Sequence, residues 1–255
     1  MLRKVPVLVY HAVNALPAAG LERFTISPPR FREHVRVVQD SGRLALTISE
    51  LAECLRGERE LDRDAVALTF DDGYADTQDA VGELVARGIG ATVYVTTGTI
   101  GSAGMLSPEE LCALAAFDGV EVGAHSVTHH HLDELSGAVL DWETAGSKRT
   151  LEAVLGAPVT SFAYPHGSHD RRSRAAVVRA GYSSAAAVKN AISHLDDDPF
   201  AIARWIVTSG TPAERIAAVL RGESLPVAWR RERLRTRAYR AARRARRHLP
   251  VGGPT

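Results

Sequence analysis

Apolar runs of strand length alternate with stretches of helical spacing along most of this chain. The first run, VPVLVY at 5–10, ends in His11. Ser27-Pro28-Pro29 then supplies an N-cap serine and a proline suited to the first helical position, which predicts a helix to about Ser41 closed by Gly42. Ser49 and Glu50 open a second, short helix, and AVALTF at 65–70 is the next strand, followed by a helix to Arg87 and a stop at Gly88. ATVYVTT at 91–97 is rich in the β-branched residues that pack well on a pleated surface. Ser107-Pro-Glu-Glu110 has capping-box spacing, with a serine to cap the helix and a glutamate three residues on to reach back. VEVGAH at 120–125, a helix around 136–155, SFAYP at 161–165, a helix around 170–179, SSAAAV at 183–188 and AIARWIV at 201–207 complete the series.

Strands separated by helices of this length predict a parallel sheet with helical crossovers. Seven such strands predict an α/β protein with a closed or nearly closed (β/α) barrel. An open doubly wound sheet is the second architecture. It is disfavoured because no glycine-rich phosphate-binding turn follows the first strand. In barrels of this kind the C-terminal ends of the strands form the active-site rim. Here His11 ends the first strand, Asp71 and Asp72 end AVALTF, His125 ends VEVGAH, and Pro165-His166 ends SFAYP. Four separate strands deliver carboxylate or imidazole to one rim, more than turn chemistry alone produces.

An Asp-Asp-Gly turn is the plain reading of Asp71–Gly73, and a polar loop with solvated histidines is the plain reading of HSVTHHHL at 125–132. If the chain turns helically after His125, however, His125 and His129 lie four apart on one side. With Asp72 they make a two-histidine, one-carboxylate set. Such a set leaves coordination positions open, as catalytic zinc and some iron sites require. The paired aspartates then divide the work: one binds a metal, and its neighbour stays free to take a proton from the attacking water.

TFDDG, HSVTHHHL and FAYPHG, in this order, resemble the first three motifs of the polysaccharide deacetylases, carbohydrate esterase family 4, over roughly residues 5–210. The resemblance implies a distorted (β/α) barrel of about seven parallel strands and a metal-dependent hydrolase that removes the N-acetyl group from an N-acetylated sugar in a glycan or glycan precursor. It implies Asp71 as catalytic base and Asp72, His125 and His129 as ligands of a divalent metal, usually zinc. The backbone N–H of His166 would contribute to an oxyanion hole, with Tyr164 and Pro165 walling the acetyl pocket. Three features depart from the pattern. Ala163 stands where an arginine is common, and His166 where tyrosine or phenylalanine is common. The late Leu-x-His motif that carries the general acid is missing, for after AIARW the only histidine is His248 in the basic tail. The opening VLVYHAV is similar to the first strand of circularly permuted members, in which an early histidine takes the acid's place, so His11 is assigned that role. Arg204 in IARWIV is the candidate to replace the missing arginine and hold Asp71 ionised.

Charge divides the chain into two parts. From Trp229 to Thr255 there are ten arginines against the single acid Glu232, whereas residues 1–228 carry 21 basic and 29 acidic side chains. The expected organisation is a catalytic barrel over 1–228 and a basic amphipathic tail over 229–255. The tail reads first as a helix docked on the acidic barrel or as a disordered segment, and second as a peripheral membrane contact beside anionic lipid. Nucleic acid is not expected, because no accompanying fold signature is present. No secretory signal and no apolar run of spanning length is seen, which makes a cytoplasmic location, with membrane association through the tail as a variant, the expectation. Cys54 and Cys112 sit in apolar helical contexts and read as buried free thiols. Two other functions share the motifs: hydrolysis of a non-sugar amide on the same metal centre, and a non-catalytic carbohydrate-binding descendant.

Overall fold

The computed structural model describes residues 3–229, so the tail from Arg230 onward, with the helix and membrane contact read into it, lies outside the described residues. Seven parallel strands pair in chain order: β1 (Val7–Tyr10), β2 (Ala65–Phe70), β3 (Ala91–Val95), β4 (Val120–Ala124), β5 (Ser161–Ala163), β6 (Ser184–Val188) and β7 (Ile202–Ile206). The ring closes where β7 meets β1, with Trp205 opposite Leu8 and Ile206 opposite Val9. The barrel expected from the alternation is therefore a closed one. Leu44–Ala45 adds a short parallel strand beside β2, outside the ring.

The strands are near-continuous apolar runs because both faces are covered, by helices outside and by side chains inside. Every residue of β1, β2 and β3 is buried. Alternation still decides which residues point inward. Thr69 and Asp71 of the second strand, Tyr94 of β3, His125 after β4 and Arg204 of β7 meet inside the barrel through the contacts described below. Gly123 of β4 is small for a steric reason: a Cβ there would lie 2.6 Å from the Tyr94 ring.

Around the ring lie α1 (Pro28–Asp40), α2 (Ile48–Arg56), α3 (Thr77–Val85), α4 (Pro108–Ala115), α5 (Gly137–Asp141), α6 (Ser147–Leu155), α7 (Arg171–Arg179) and α8 (Ala213–Leu220). A π-helical segment, Trp142–Gly146, joins α5 to α6, where the sequence predicts one continuous helix. α2 closes the N-terminal end of the barrel, packing Ile48, Leu51 and Ala52 against Val7, Ala65, Ala67 and Ile202. Its cap is Thr47, not Ser49. Thr47 and Glu50 form the reciprocal capping box, while the Ser49 hydroxyl is taken by Glu121 at 2.5 Å. The box predicted at Ser107 and Glu110 forms. Cys54 is buried as expected, but Cys112 is exposed. Leu111 and Leu114 take the inward stripe of α4 and leave Cys112 on its flank. Among the described residues, no helix is long and apolar enough to cross a membrane.

Candidate active site

Asp71 and Asp72 are neighbours with opposite surroundings. Asp71 continues the inward alternation of β2, and its N–H donates to the Tyr10 carbonyl at 3.0 Å. Its two oxygens accept from Arg204, at 2.6 Å from Nη1 and 2.9 Å from Nη2. Arg204 is wholly buried, gives Nη1 also to the Thr69 hydroxyl at 3.1 Å, and lies over the Tyr94 ring at 5.3 Å. Burial alone would raise the Asp71 pKa, but the Arg204 charge and its paired hydrogen bonds hold it at about 2. A buried ion pair of this kind is weak evidence for stability. Its chemical consequence is clear: Asp71 is a carboxylate at every working pH.

Asp72 turns the chain out of the strand at φ 77°, a left-handed conformation that asparagine and aspartate tolerate best, and Gly73 follows at φ 84°. Burial, with the Asp71 charge beside it, raises the Asp72 pKa to about 6. Its Oδ1 is buried and has no hydrogen-bond partner, yet lies 3.2 Å from His129 Nε2 and 3.5 Å from His125 Nε2. His125 shares its Nδ1 with the Ala163 carbonyl at 2.8 Å. A carbonyl can only accept, so Nδ1 carries the proton and Nε2 presents its lone pair to Asp72. Burial pushes the His125 pKa down to about 3 and lowers that of His129, so both rings are neutral near pH 7.

The loop that brings the two histidines together is not the helical turn expected from their spacing. Ser126 and His129 both adopt left-handed backbone, φ 65° and 61°, and the Ser126 hydroxyl accepts the His129 N–H at 3.0 Å. This tight non-helical bend sets the ring centroids 4.9 Å apart. One donor atom each from Asp72, His125 and His129 falls within 4.8 Å of the others. Two neutral imidazoles, one carboxylate and an orphaned buried oxygen fit a divalent transition metal, and zinc in particular accepts such a set.

These groups open into a cavity of about 450 Å³ that also includes His11, Phe24, Tyr74, Met105 and Ile206 in its wall. His11 follows β1, lines the same cavity as the aspartates, and stacks obliquely on Phe24 at 5.1 Å. Its Nδ1 is buried without a partner. His166 stands exposed on the rim at φ 58°, its ring 4.4 Å from that of His129 and 3.9 Å from that of His131. Tyr164 and Pro165 are buried and do not line the cavity; the Tyr164 hydroxyl donates to the Phe200 carbonyl at 3.1 Å. The structure thus gathers His11, Asp71, Asp72, His125, His129 and His166 around one space, with Arg204 behind Asp71. Sequence reading missed Phe24, Met105 and the Thr69 prop under Arg204. Tyr74 was legible as the aromatic just after Asp-Asp-Gly, but Phe24 sits in an irregular loop that carries no pattern.

A buried ionised carboxylate, an unpartnered carboxylate oxygen and two neutral imidazoles gather at the C-terminal mouth of a seven-stranded barrel, a set suited to hydrolysis. A family model described as polysaccharide deacetylase matches residues 58–185, half of the chain, and the chain belongs to that family. Membership makes it a hydrolase directed at N-acetylated carbohydrate. YxkH of Bacillus subtilis, named for the same family, is 25% identical over 218 residues, 85% of this chain and 76% of that one. Among solved structures, the Streptococcus pyogenes deacetylase PplD in complex with acetate superposes with a TM-score of 0.77 at 24% identity, covering 85% of this chain and 97% of that chain. IcaB from Ammonifex degensii gives a TM-score of 0.73 at 24% identity over 86% and 97%. Those two likenesses establish the shared fold.

Proposed function

We propose that this protein is a metal-dependent N-deacetylase that hydrolyses the acetamido group of an N-acetylated sugar in a glycan or glycan precursor. The observation that carries the reading is the division between two adjacent carboxylates. Asp71 is locked ionised by Arg204, while Asp72 leaves an unpartnered oxygen close to Nε2 of two neutral histidines.

Asp72, His125 and His129 would hold the divalent ion, which when bound supplies the acidity of the attacking water and polarises the acetyl carbonyl. Asp71 accepts the proton of that water. A carboxylate held near 2 is always available but is a weak proton acceptor, which is why the water must be made acidic for it. The backbone N–H of His166 would face the oxyanion, a kind of contact worth roughly 3–4 kcal/mol per donor. His11, in the wall of the same cavity, delivers a proton to the departing amine nitrogen, since breaking the C–N bond without it would expel an amide anion. Phe24 fixes the His11 ring, and with Met105 and Ile206 it gives the sugar an apolar wall.

Acetate release, measured over N-acetylated monosaccharides, nucleotide sugars and oligosaccharides with zinc added, tests this. Zinc-dependent release from at least one class is expected. Sugar binding without release would make the chain a binding descendant, and release from non-sugar acetamides alone would move the substrate class.

A further inference from the structure

The loop that presents His129 combines two left-handed non-glycine residues, Ser126 and His129, in four positions. Such backbone is strained and persists only when its surroundings over-determine it. Something must hold this bend. Across it lies Glu143, 1% exposed, on the π-helical segment Trp142–Gly146. Its Oε2 accepts the Val127 N–H at 2.8 Å and the Thr128 N–H at 2.9 Å, and its Oε1 accepts the Thr128 hydroxyl. Among the described residues no lysine or arginine forms an ion pair with it. The carboxylate is thus buried against the loop itself, and the loop's own donors compensate its desolvation.

From the other side Gly98 completes the grip. Its N–H donates to the Val127 carbonyl at 2.8 Å, and a Cβ on Gly98 would lie 2.5 Å from that oxygen. π-Helical turns inside α-helices widen the backbone and re-aim side chains, and they recur at functional sites. Here the widened turn puts Glu143 against the amides of residues 127 and 128, immediately before His129.

We infer that Glu143 is a positioning residue for the metal centre: it clamps the 126–129 bend so that His129 Nε2 stays within reach of Asp72 Oδ1. The inference rests on the metal-site reading above. It gives the π-helical segment a function, since that segment carries Glu143.

The test is metal affinity, read by competition with a chromophoric chelator for Zn²⁺ on the whole protein, beside the thermal midpoint. Glu143→Ala should weaken Zn²⁺ binding by roughly 10–100-fold, the range typical of partners that orient a ligand. Glu143→Asp keeps the charge and the fold but shortens the reach, and should weaken binding by at least about fivefold on the same scale. Glu143→Gln keeps one oxygen that can accept both amides, and should restore affinity to within a fewfold of wild type. Asp197→Ala removes another buried carboxylate, one bonded to Lys189, Ser193 and the Ala203 N–H, and should lower the midpoint with no change in affinity. Wild-type affinity in folded Glu143→Ala or Glu143→Asp overturns the inference, as does an equal loss in Asp197→Ala. Should Glu143→Ala not fold, Glu143→Asp decides alone. If the unaltered protein binds no Zn²⁺, the metal-site reading fails instead.

Discussion

The two ends of the barrel hold acids in opposite condition. At the N-terminal end Glu121 accepts from the Ser49 N–H and hydroxyl and from the Thr92 hydroxyl, and Glu50 is tied into its capping box and to Arg59. The cavity beside them, about 640 Å³, is larger than the one of about 450 Å³ at the C-terminal end. At the C-terminal end Asp72 Oδ1 and His11 Nδ1 are buried with no partner. Cavity size therefore does not locate the chemistry in this molecule. The convergence of Asp72, His125 and His129 around a buried oxygen without a hydrogen-bond partner sets this end apart, because leaving such an atom unmet costs free energy that a bound ligand can return.

The comparison breaks most readily at the metal ligands. Asp72→Ala, His125→Ala and His129→Ala should each lose bound metal beyond the roughly 10–100-fold seen for indirect partners, and nearly all turnover with it. Glu121→Gln, at the other end, should cost about 1–3 kcal/mol of stability yet leave metal content and turnover within about twofold. Elemental analysis and acetate release on the same samples decide; equal losses at both ends would erase the contrast. Next in size is His11→Ala, expected to keep metal and lose on the order of 10²–10⁴ in rate, the usual range for general acid–base catalysis. That loss should shrink on an ester analogue, whose leaving group needs less protonation. A loss of the same size on amide and ester would return His11 to a structural role.

Arg204→Leu should cost about 3–5 kcal/mol, because it leaves a buried carboxylate unpaired. In the wild type Asp71 has a folded pKa of about 2, below its unfolded value of 3.8. The pair therefore stabilises the fold above the unfolded value, and its contribution fades as pH falls toward 2. Without Arg204, burial pushes the Asp71 pKa up, so the acid limb of the pH–rate profile should move to higher pH in any folded variant. An unmoved limb would detach Arg204 from Asp71's ionisation.

The smallest effect is on the metal-free protein. Asp72 has a folded pKa of about 6 against 3.8 unfolded, so the folded chain binds the extra proton and loses stability as pH rises between these values. Asp72→Asn should therefore raise the midpoint of chelator-treated protein at pH 7, by on the order of 1–3 kcal/mol of stability, and leave it unchanged near pH 3. Destabilisation at pH 7 would show that the unpartnered oxygen carries no such cost.

Much of this was legible in the sequence, and what was not has identifiable causes. Runs such as AVALTF announce strands because β-branched and apolar residues fill a surface covered on both sides, and the strand-end position of His11, Asp71, Asp72 and His125 followed from them. A closed or nearly closed barrel was expected as well; which of the two did not follow, because the β1–β7 pairing joins residues nearly 200 apart and depends on twist summed around the ring. The approach of His125 to His129 was expected for the wrong geometry: spacing of four suits a helix, but Ser126 and His129 turn left-handed. Glu143 in DWETAGS reads as an ordinary solvated helical acid. Its burial against the loop, on a π-helical segment, has no signature in these residues. Cys112 was misplaced because an apolar context does not say which flank of α4 faces in.

The central claim is that Asp71 is the base beside a separate metal centre, and Asp71→Asn tests it most directly. Zinc content by elemental analysis and acetate release from a confirmed N-acetylated substrate would be measured on one preparation, with folding verified. Because an amide leaves Asp72, His125 and His129 in place but cannot take the water's proton, zinc is expected at the wild-type ratio with nearly all turnover gone. Wild-type turnover in the zinc-loaded variant, or loss of zinc together with activity, would contradict the division of labour between the two aspartates.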